Sequence, residues 1–82
     1  MTPELLLETI VKAIVRNPDS VEIEKVVDDM GTFLKLKVHK TDMGLVLGKQ
    51  GAHSNAIKLI AKLCGMNNSI RVAVKIIEPD NV

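Results

Sequence analysis

Leu45-Val46-Leu47-Gly48-Lys49-Gln50-Gly51 is the stretch whose reading decides the fold. Three aliphatic residues run into two glycines that bracket Lys49 and Gln50, and a new apolar-periodic run begins at Ala52. Glycine lacks a Cβ, so a pair at this spacing permits a sharp reversal between two helices and close approach of another backbone. Gly51 is placed to open the following helix, whose first amides have no intrahelical partner. Such amides, with the Lys49 ammonium beside them, suit a phosphodiester. A plain helix–turn–helix corner, with glycines serving geometry alone, fits the spacing equally well, because an isolated G-x-x-G is a weak signal.

Outward from the turn, Thr41 or Asp42 caps a short helix predicted over Met43–Leu47. The second helix is predicted from Ala52 to Cys64, with Ala56, Ile57, Ile60, Ala61 and Cys64 inward, Lys58 and Lys62 outward, and Gly65 as the residue that ends it. Asn67-Asn68-Ser69 is a turn, followed by a strand whose inner face is Ile70, Val72, Val74 and Ile76, with Arg71 and Lys75 outside and Pro79 as its stop. Upstream, Leu34, Leu36 and Val38 alternate with Lys35, Lys37 and His39, the clearest strand in the chain. Asp28-Asp29-Met30-Gly31 joins it to a strand at Val21-Glu22-Ile23-Glu24, so Glu22 and Glu24 face Lys35 and Lys37. Val26-Val27 breaks the alternation and predicts a bulge or strand end. Thr2-Pro3-Glu4 starts a helix with Leu6, Leu7, Ile10, Ala13 and Ile14 on one face, stopped by Asn17-Pro18. Leu5, Val11 and Val15 broaden its apolar arc. The order is α-β-β-α-α-β: an α+β layer with helices on one face of a three-stranded sheet, one domain over residues 1–82.

Composition narrows the function. The chain has 82 residues, 46% hydrophobic and 26% charged, which is too apolar for a disordered tail. The formal charge of +1 hides a partition: residues 1–32 carry −4, residues 33–75 carry +7, and residues 76–82 carry −2. The basic segment contains the double-glycine turn, and local potential is what attracts a polyanion. Outward strand lysines, taken singly, are also ordinary solvated surface. With no Trp, no Tyr and one Phe, an aromatic platform for stacking bases is missing. Cys64 is alone, so no disulfide closes within the chain, and its reading is a small buried hydrophobe. No apolar run approaches the roughly 20 residues of a membrane span. The N-terminal Met-Thr-Pro-Glu-Leu has no basic region before its apolar run, so the expected compartment is the cytoplasm.

Catalytic and cofactor motifs fail on spacing. A P-loop needs G-x-x-x-x-G-K-[ST], whereas Gly44 stands too close to Gly48 and Gln50 follows Lys49. A dinucleotide loop follows a strand, and this turn follows a helix. His39 and His53 have no Cys, His or acid at metal-ligand spacing. His53 and Ser54 are adjacent on a helix and point apart, so they form no nucleophile–base pair. The expectation is a binding protein with no cofactor, no metal and no enzyme activity.

The string Asp42-Met43-Gly44-Leu45-Val46-Leu47-Gly48-Lys49-Gln50-Gly51, with Ile57 and Ile60 in the next helix, resembles the heart of a KH domain. The leading helix and strand resemble the type II arrangement. Length, the Thr-Pro-Glu start and the Asp-x-Gly before the loop resemble the KhpA (YlqC-like) family of small single-KH bacterial proteins. The resemblance covers nearly the whole chain. It implies a mixed three-stranded sheet with three helices on one face, and single-stranded RNA held beside the loop, which clamps about four nucleotides by their backbone. It carries Gly48, Lys49, Gln50 and Gly51 over as backbone contacts, and Leu45, Val46 and Ile57 as groove wall or the core beneath it. Lys37, His39 and Lys40 flank the other side, and Lys58 and Lys62 extend the attraction. An aliphatic rather than aromatic groove suits a chain without Trp or Tyr.

Two positions depart from the family pattern. Ser54 stands where an aliphatic residue is favoured, and Ala52 then His53 stand where relatives often carry Arg. One fixed cation near the phosphates is thereby missing, and histidine, the residue type at 53, is only partly protonated near neutral pH. Binding is expected to be weak, salt-sensitive and poorly selective for sequence. The resemblance further implies a post-transcriptional regulator or RNA chaperone linked to cell elongation and envelope homeostasis. It also implies dimerisation with itself or with a Jag-type (KhpB) KH partner. The alternatives are an interaction or dimerisation module with a vestigial groove, and a ribosome-associated factor that binds rRNA.

Overall fold

The computed structural model describes residues 2–77. Helix α1 spans Pro3–Ile14, strands β1 and β2 span Glu22–Asp28 and Gly31–Lys37, helices α2 and α3 span Met43–Leu47 and Ala52–Asn67, and strand β3 spans Val72–Ile77. Single 3₁₀ turns occupy Pro18–Ser20, Lys40–Asp42 and Lys49–Gly51. The Thr2 hydroxyl accepts the Leu5 N–H at 3.1 Å and Pro3 takes the first helical position, so α1 starts where a missing amide costs nothing. Pro79 lies outside the described residues.

The sheet order is β1-β2-β3. β1 and β2 form an antiparallel hairpin with Glu22 opposite Lys37 and Glu24 opposite Lys35, as the alternation predicts. β2 and β3 run parallel, from Thr32 opposite Val72 to Lys37 opposite Ile77. A parallel neighbour needs a long crossover, and α2 and α3 supply it across one face of the sheet. This is the mixed three-stranded sheet with three helices that the type II KH resemblance implies. Its core unites Leu7 and Val11 of α1, Leu34 and Leu36 of β2, Val38, Val46 of α2, Ile57 and Ala61 of α3, and Val72 of β3. Leu34 and Leu36 are wholly buried, each contributing about 2–3 kcal/mol by transfer from water.

Four expectations need correction. The Val26-Val27 bulge does not form: pairing continues without a break to Asp28 opposite Gly31, and Val26 sits opposite Phe33 on the outer face of the sheet. Alternation fails there because Val26 packs across the strands while Val27 is 65% exposed beyond the helical cover. In α1, Pro3, Leu7 and Val11 are the buried residues, while Ala13 and Ile14 are exposed. In α3 the buried face is Ser54, Ile57, Ala61 and Gly65; Ala56 and Ile60 are exposed and Cys64 is half-buried. Finally, Gly65 does not end the helix. Ser69 (φ +58) is the left-handed residue, with its N–H bonded to the Met66 carbonyl and the Ile70 N–H bonded to the Gly65 carbonyl. That pair of bonds is a Schellman closure one turn later than the glycine suggests. It leaves Ile70 exposed just ahead of β3.

Candidate nucleic-acid interface

The turn between α2 and α3 is built by three residues with positive φ: Gly48 (φ 70, ψ 175), Gln50 (φ 57, ψ 29) and Gly51 (φ 75, ψ 15). Its backbone bonds engage the amides of Gly48, to the Gly44 carbonyl at 2.9 Å, and of Gly51, to the Gly48 carbonyl at 3.3 Å. The Ala52 amide bonds the Lys49 carbonyl. These bonds do not engage the amides of Lys49 and Gln50, whose residues form the exposed tip. The amides that the turn's own bonds leave over therefore belong to the two residues between the glycines, while the Gly51 and Ala52 amides at the helix opening are bonded within the turn.

Beneath the tip the predicted groove residues divide. Val46 and Ile57 belong to the core, whereas Leu45 is 39% exposed. Ser54, the departure from an aliphatic pattern, is buried, and its hydroxyl donates to the Gly51 carbonyl at 3.2 Å. A serine here ties the first turn of α3 to the loop. The exposed His53 places Nδ1 2.7 Å from the Leu45 carbonyl oxygen.

Asp42 anchors the whole corner, a role the capping reading misses. Its side chain makes no capping bond to α2. Buried instead beneath the end of α1, its carboxylate accepts the backbone N–H groups of Arg16 at 3.2 Å and Asn17 at 3.0 Å, and the Asn17 amide Nδ2 at 3.0 Å. Asn17 Nδ2 also donates to the Thr41 hydroxyl at 3.2 Å. The signal was present in the sequence: Asp42 is the only acid between residues 33 and 75, and the chain leaving α1 has amides that need an acceptor. Burial pushes the Asp42 pKa up, but the Asn17 side chain and the Arg16 and Asn17 amides, with His39 nearby, outweigh it and hold the carboxyl below its ordinary 3.8. A lowered folded-state pKa means the stabilisation is present above the ordinary value and is lost as pH falls through the folded one. The urea midpoint of the native chain is therefore expected to drop as pH is lowered below about 4, and Asp42→Asn to flatten that part of the profile. An equally steep acid limb in the variant would place the linkage elsewhere.

Lys37, His39 and Lys40 share a surface hollow that the turn does not line. The hollow, open and of about 410 Å³, is lined also by Asp19, Ser20, Glu22 and Val38, so two acids share it. Within it, His39 Nδ1 accepts the Thr41 N–H at 3.2 Å. Lys58 and Lys62 are exposed along α3, and Lys62 shares with Arg71 the rim of a second hollow of about 390 Å³, lined by Met66, Ser69, Ile70 and Val72.

A family model described as KhpA/KhpB, KH domain, matches residues 4–76, which includes every element from α1 to β3 except their outermost residues. The chain belongs to the KhpA/KhpB KH-domain family. Its relatives include the RNA-binding protein KhpA of Clostridium acetobutylicum, 43% identical over 88% of this chain and 96% of that protein. The RNA-binding protein KhpA of Listeria monocytogenes serovar 1/2a is 39% identical over 92% and 99% respectively. That of Bacillus subtilis is 35% identical over 92% and 93%. The KhpA/KhpB match thus spans the turn, its two helices and the Asp42 anchor together. Among the described residues no helix is long and apolar enough to cross a membrane.

Proposed function

We propose that this chain binds single-stranded RNA at the Gly48–Gly51 turn and acts as a post-transcriptional regulator or RNA chaperone. The observation that carries the reading is the exposed tip, where Lys49 and Gln50 carry two amides that the turn's own bonding does not use. The relatives named as RNA-binding proteins support it. In this mechanism the Lys49 and Gln50 amides donate to non-bridging phosphate oxygens and Lys49 supplies the charge. Exposed Leu45 offers an apolar contact to a base, and Lys58 and Lys62 attract the strand from a distance. Contacts of this kind position a backbone without reading its bases, so affinity falls steeply with salt and depends little on sequence. A role in cell elongation and envelope homeostasis goes with the family resemblance.

Replacing Lys49 and Gln50 together by Asp tests the site. RNA retention is expected to fall by at least about tenfold, with the fold unchanged by circular dichroism. Undiminished crosslinking to RNA would move the site away from the turn. Sequencing the RNA that copurifies separates a broad transcript pool from ribosomal RNA alone, the outcome expected of a ribosome-associated factor.

One observation favours a second reading, an association module. Leu59, Ile60, Leu63 and Met66 are all exposed along α3, a contiguous apolar face over two helical turns. The occupant we assign is a second copy, with a Jag-type KH protein as the alternative. Helix α3 contains no acid, so two copies meeting there bring Lys58 and Lys62 near their counterparts. Salt should then tighten the dimer while loosening RNA, opposite signs that equilibrium sedimentation and filter binding can separate. A chain that stays monomeric at tens of micromolar in high salt would exclude self-association through α3.

A further inference from the structure

Resting on the reading that the turn binds RNA, the geometry points to His53 as the residue that holds the turn in its binding shape, a positioning residue rather than a direct contact to the strand. Two independent contacts lead there. First, His53 Nδ1 lies 2.7 Å from the Leu45 carbonyl oxygen. A carbonyl only accepts, so Nδ1 carries the proton and donates across the corner from α3 to α2. Second, the ring fills the space over Gly48. A Cβ built on Gly48 would stand 2.5 Å from the His53 ring carbon Cγ and 2.8 Å from Nδ1. One imidazole thus bridges the helices on either side of the loop and packs against the glycine that begins it.

The consequence for binding is preorganisation. Gln50 holds a left-handed conformation without being glycine, so the tip pays strain to keep its amides presented, and something must hold it there. The Ser54 hydroxyl on the Gly51 carbonyl fixes one side of the loop, and His53 fixes the other. A loop already in its bound shape loses less entropy when it closes on a phosphate. The clamp also works in both protonation states. Neutral His53 must be the Nδ1–H tautomer to donate to Leu45, and the imidazolium retains the same Nδ1–H. Protonation therefore adds a donor at Nε2 without releasing the loop.

The test compares three chains against a labelled single-stranded RNA. His53→Ala removes the bridge and is expected to weaken binding about three- to tenfold. His53→Asn restores an N–H donor close to the Nδ1 position and is expected to recover most of the loss. In the native chain, nitrogen shifts from a long-range imidazole correlation spectrum should show Nδ1 protonated before any RNA is added. Faster amide exchange at Gly48, Gly51 and Ala52, the amides that the turn's own bonds protect, in His53→Ala, slowed again in His53→Asn, would support the clamp. A native Nε2–H tautomer would overturn it. So would His53→Ala binding RNA like the native chain while the Lys49→Asp, Gln50→Asp chain does not. If the native chain itself retains no RNA, the parent reading fails and the tautomer measurement still decides the bridge. Should His53→Ala fail to fold, His53→Asn and the native spectrum carry the decision.

Discussion

Gly48→Ala is expected to destabilise the chain by about 3 kcal/mol and to abolish RNA retention. Two costs add. Gly48 has φ 70 and ψ 175, a region open to glycine and closed to side-chain-bearing residues. Its Cβ would also meet the His53 amide nitrogen at 2.8 Å as well as the ring, and a backbone nitrogen at the start of a 16-residue helix does not step aside. Against a total stability on the order of 4–12 kcal/mol for a domain of this size, the loss is large. It corresponds to a fall in Tm of roughly 12–24 °C. Gly51→Ala makes the control. Gly51 also has positive φ, but its Cβ would find the Ser54 hydroxyl at 3.7 Å and the Asn55 amide at 3.9 Å, ordinary contacts. Left-handed strain alone then costs about 1 kcal/mol, or 1–2 for the β-branched Gly51→Val. Thermal melts should rank the two alanine variants in that order, and equal costs would mean that His53 does not lie over Gly48. In a His53→Ala background the Gly48→Ala penalty should shrink by about 1 kcal/mol, because the ring clash is gone while the backbone clash stays.

The contrast between the two glycines explains what was legible in the sequence. Local signals carried the architecture. Alternation marked Leu34, Leu36 and Val38, and the Asp-Asp-Met-Gly turn and the paired Glu and Lys rows marked the hairpin, because each depends on neighbours a few residues away. The double glycine marked the turn. What hydropathy could not supply was the phase of α3. The helix carries two apolar faces, and the larger one, Leu59, Ile60, Leu63 and Met66, points away from the sheet. The inward face is made of Ile57 and three small residues, Ser54, Ala61 and Gly65, whose size, rather than hydrophobicity, suits them to close approach. Counting apolar residues places Ile57 and Ala61 correctly but adds Ala56 and Ile60, which are exposed, and misses Ser54 and Gly65.

The same limit hid the tertiary hydrogen bonds. Asp42 reads as a cap because Asp commonly caps the helix that follows it. Here the carboxylate reaches back some 25 residues to Asn17, and only the fold brings the two together. His53 reads as a surface or groove histidine because nothing local shows that the Leu45 carbonyl, eight residues earlier, is within its reach. Asp42, just ahead of α2, holds the chain leaving α1, and His53, in the first turn of α3, reaches back to the Leu45 carbonyl of α2. The candidate site was therefore visible as a motif, while the contacts that give the motif its shape were not.

Gly65 allows the sharpest test of the claim that α3 packs by closeness. Alanine is the better helix former by about 1 kcal/mol, and Gly65 lies inside α3 with helical φ, so propensity alone predicts stabilisation. Packing predicts the reverse. A Cβ at Gly65 would stand 2.5 Å from Val72 Cγ2 and 2.8 Å from the Ile70 carbonyl oxygen. Val72 is β-branched and buried in β3, with one preferred rotamer and no free space to enter, and the carbonyl is backbone. Relief requires α3 to lift from β3, which opens voids beside Ile57 and Ala61 on the same face. Gly65→Ala is accordingly expected to lose about 2–3 kcal/mol, on the order of 10 °C in Tm, despite the gain in propensity. Gly44→Ala supplies the opposite sign within the same chain. Gly44 is helical, and its Cβ would meet nothing within 4 Å, so propensity acts unopposed and stability should rise by up to about 1 kcal/mol. If both alanines stabilise, α3 stands farther from the sheet than described. Its small-residue face would then have no packing reason to point inward.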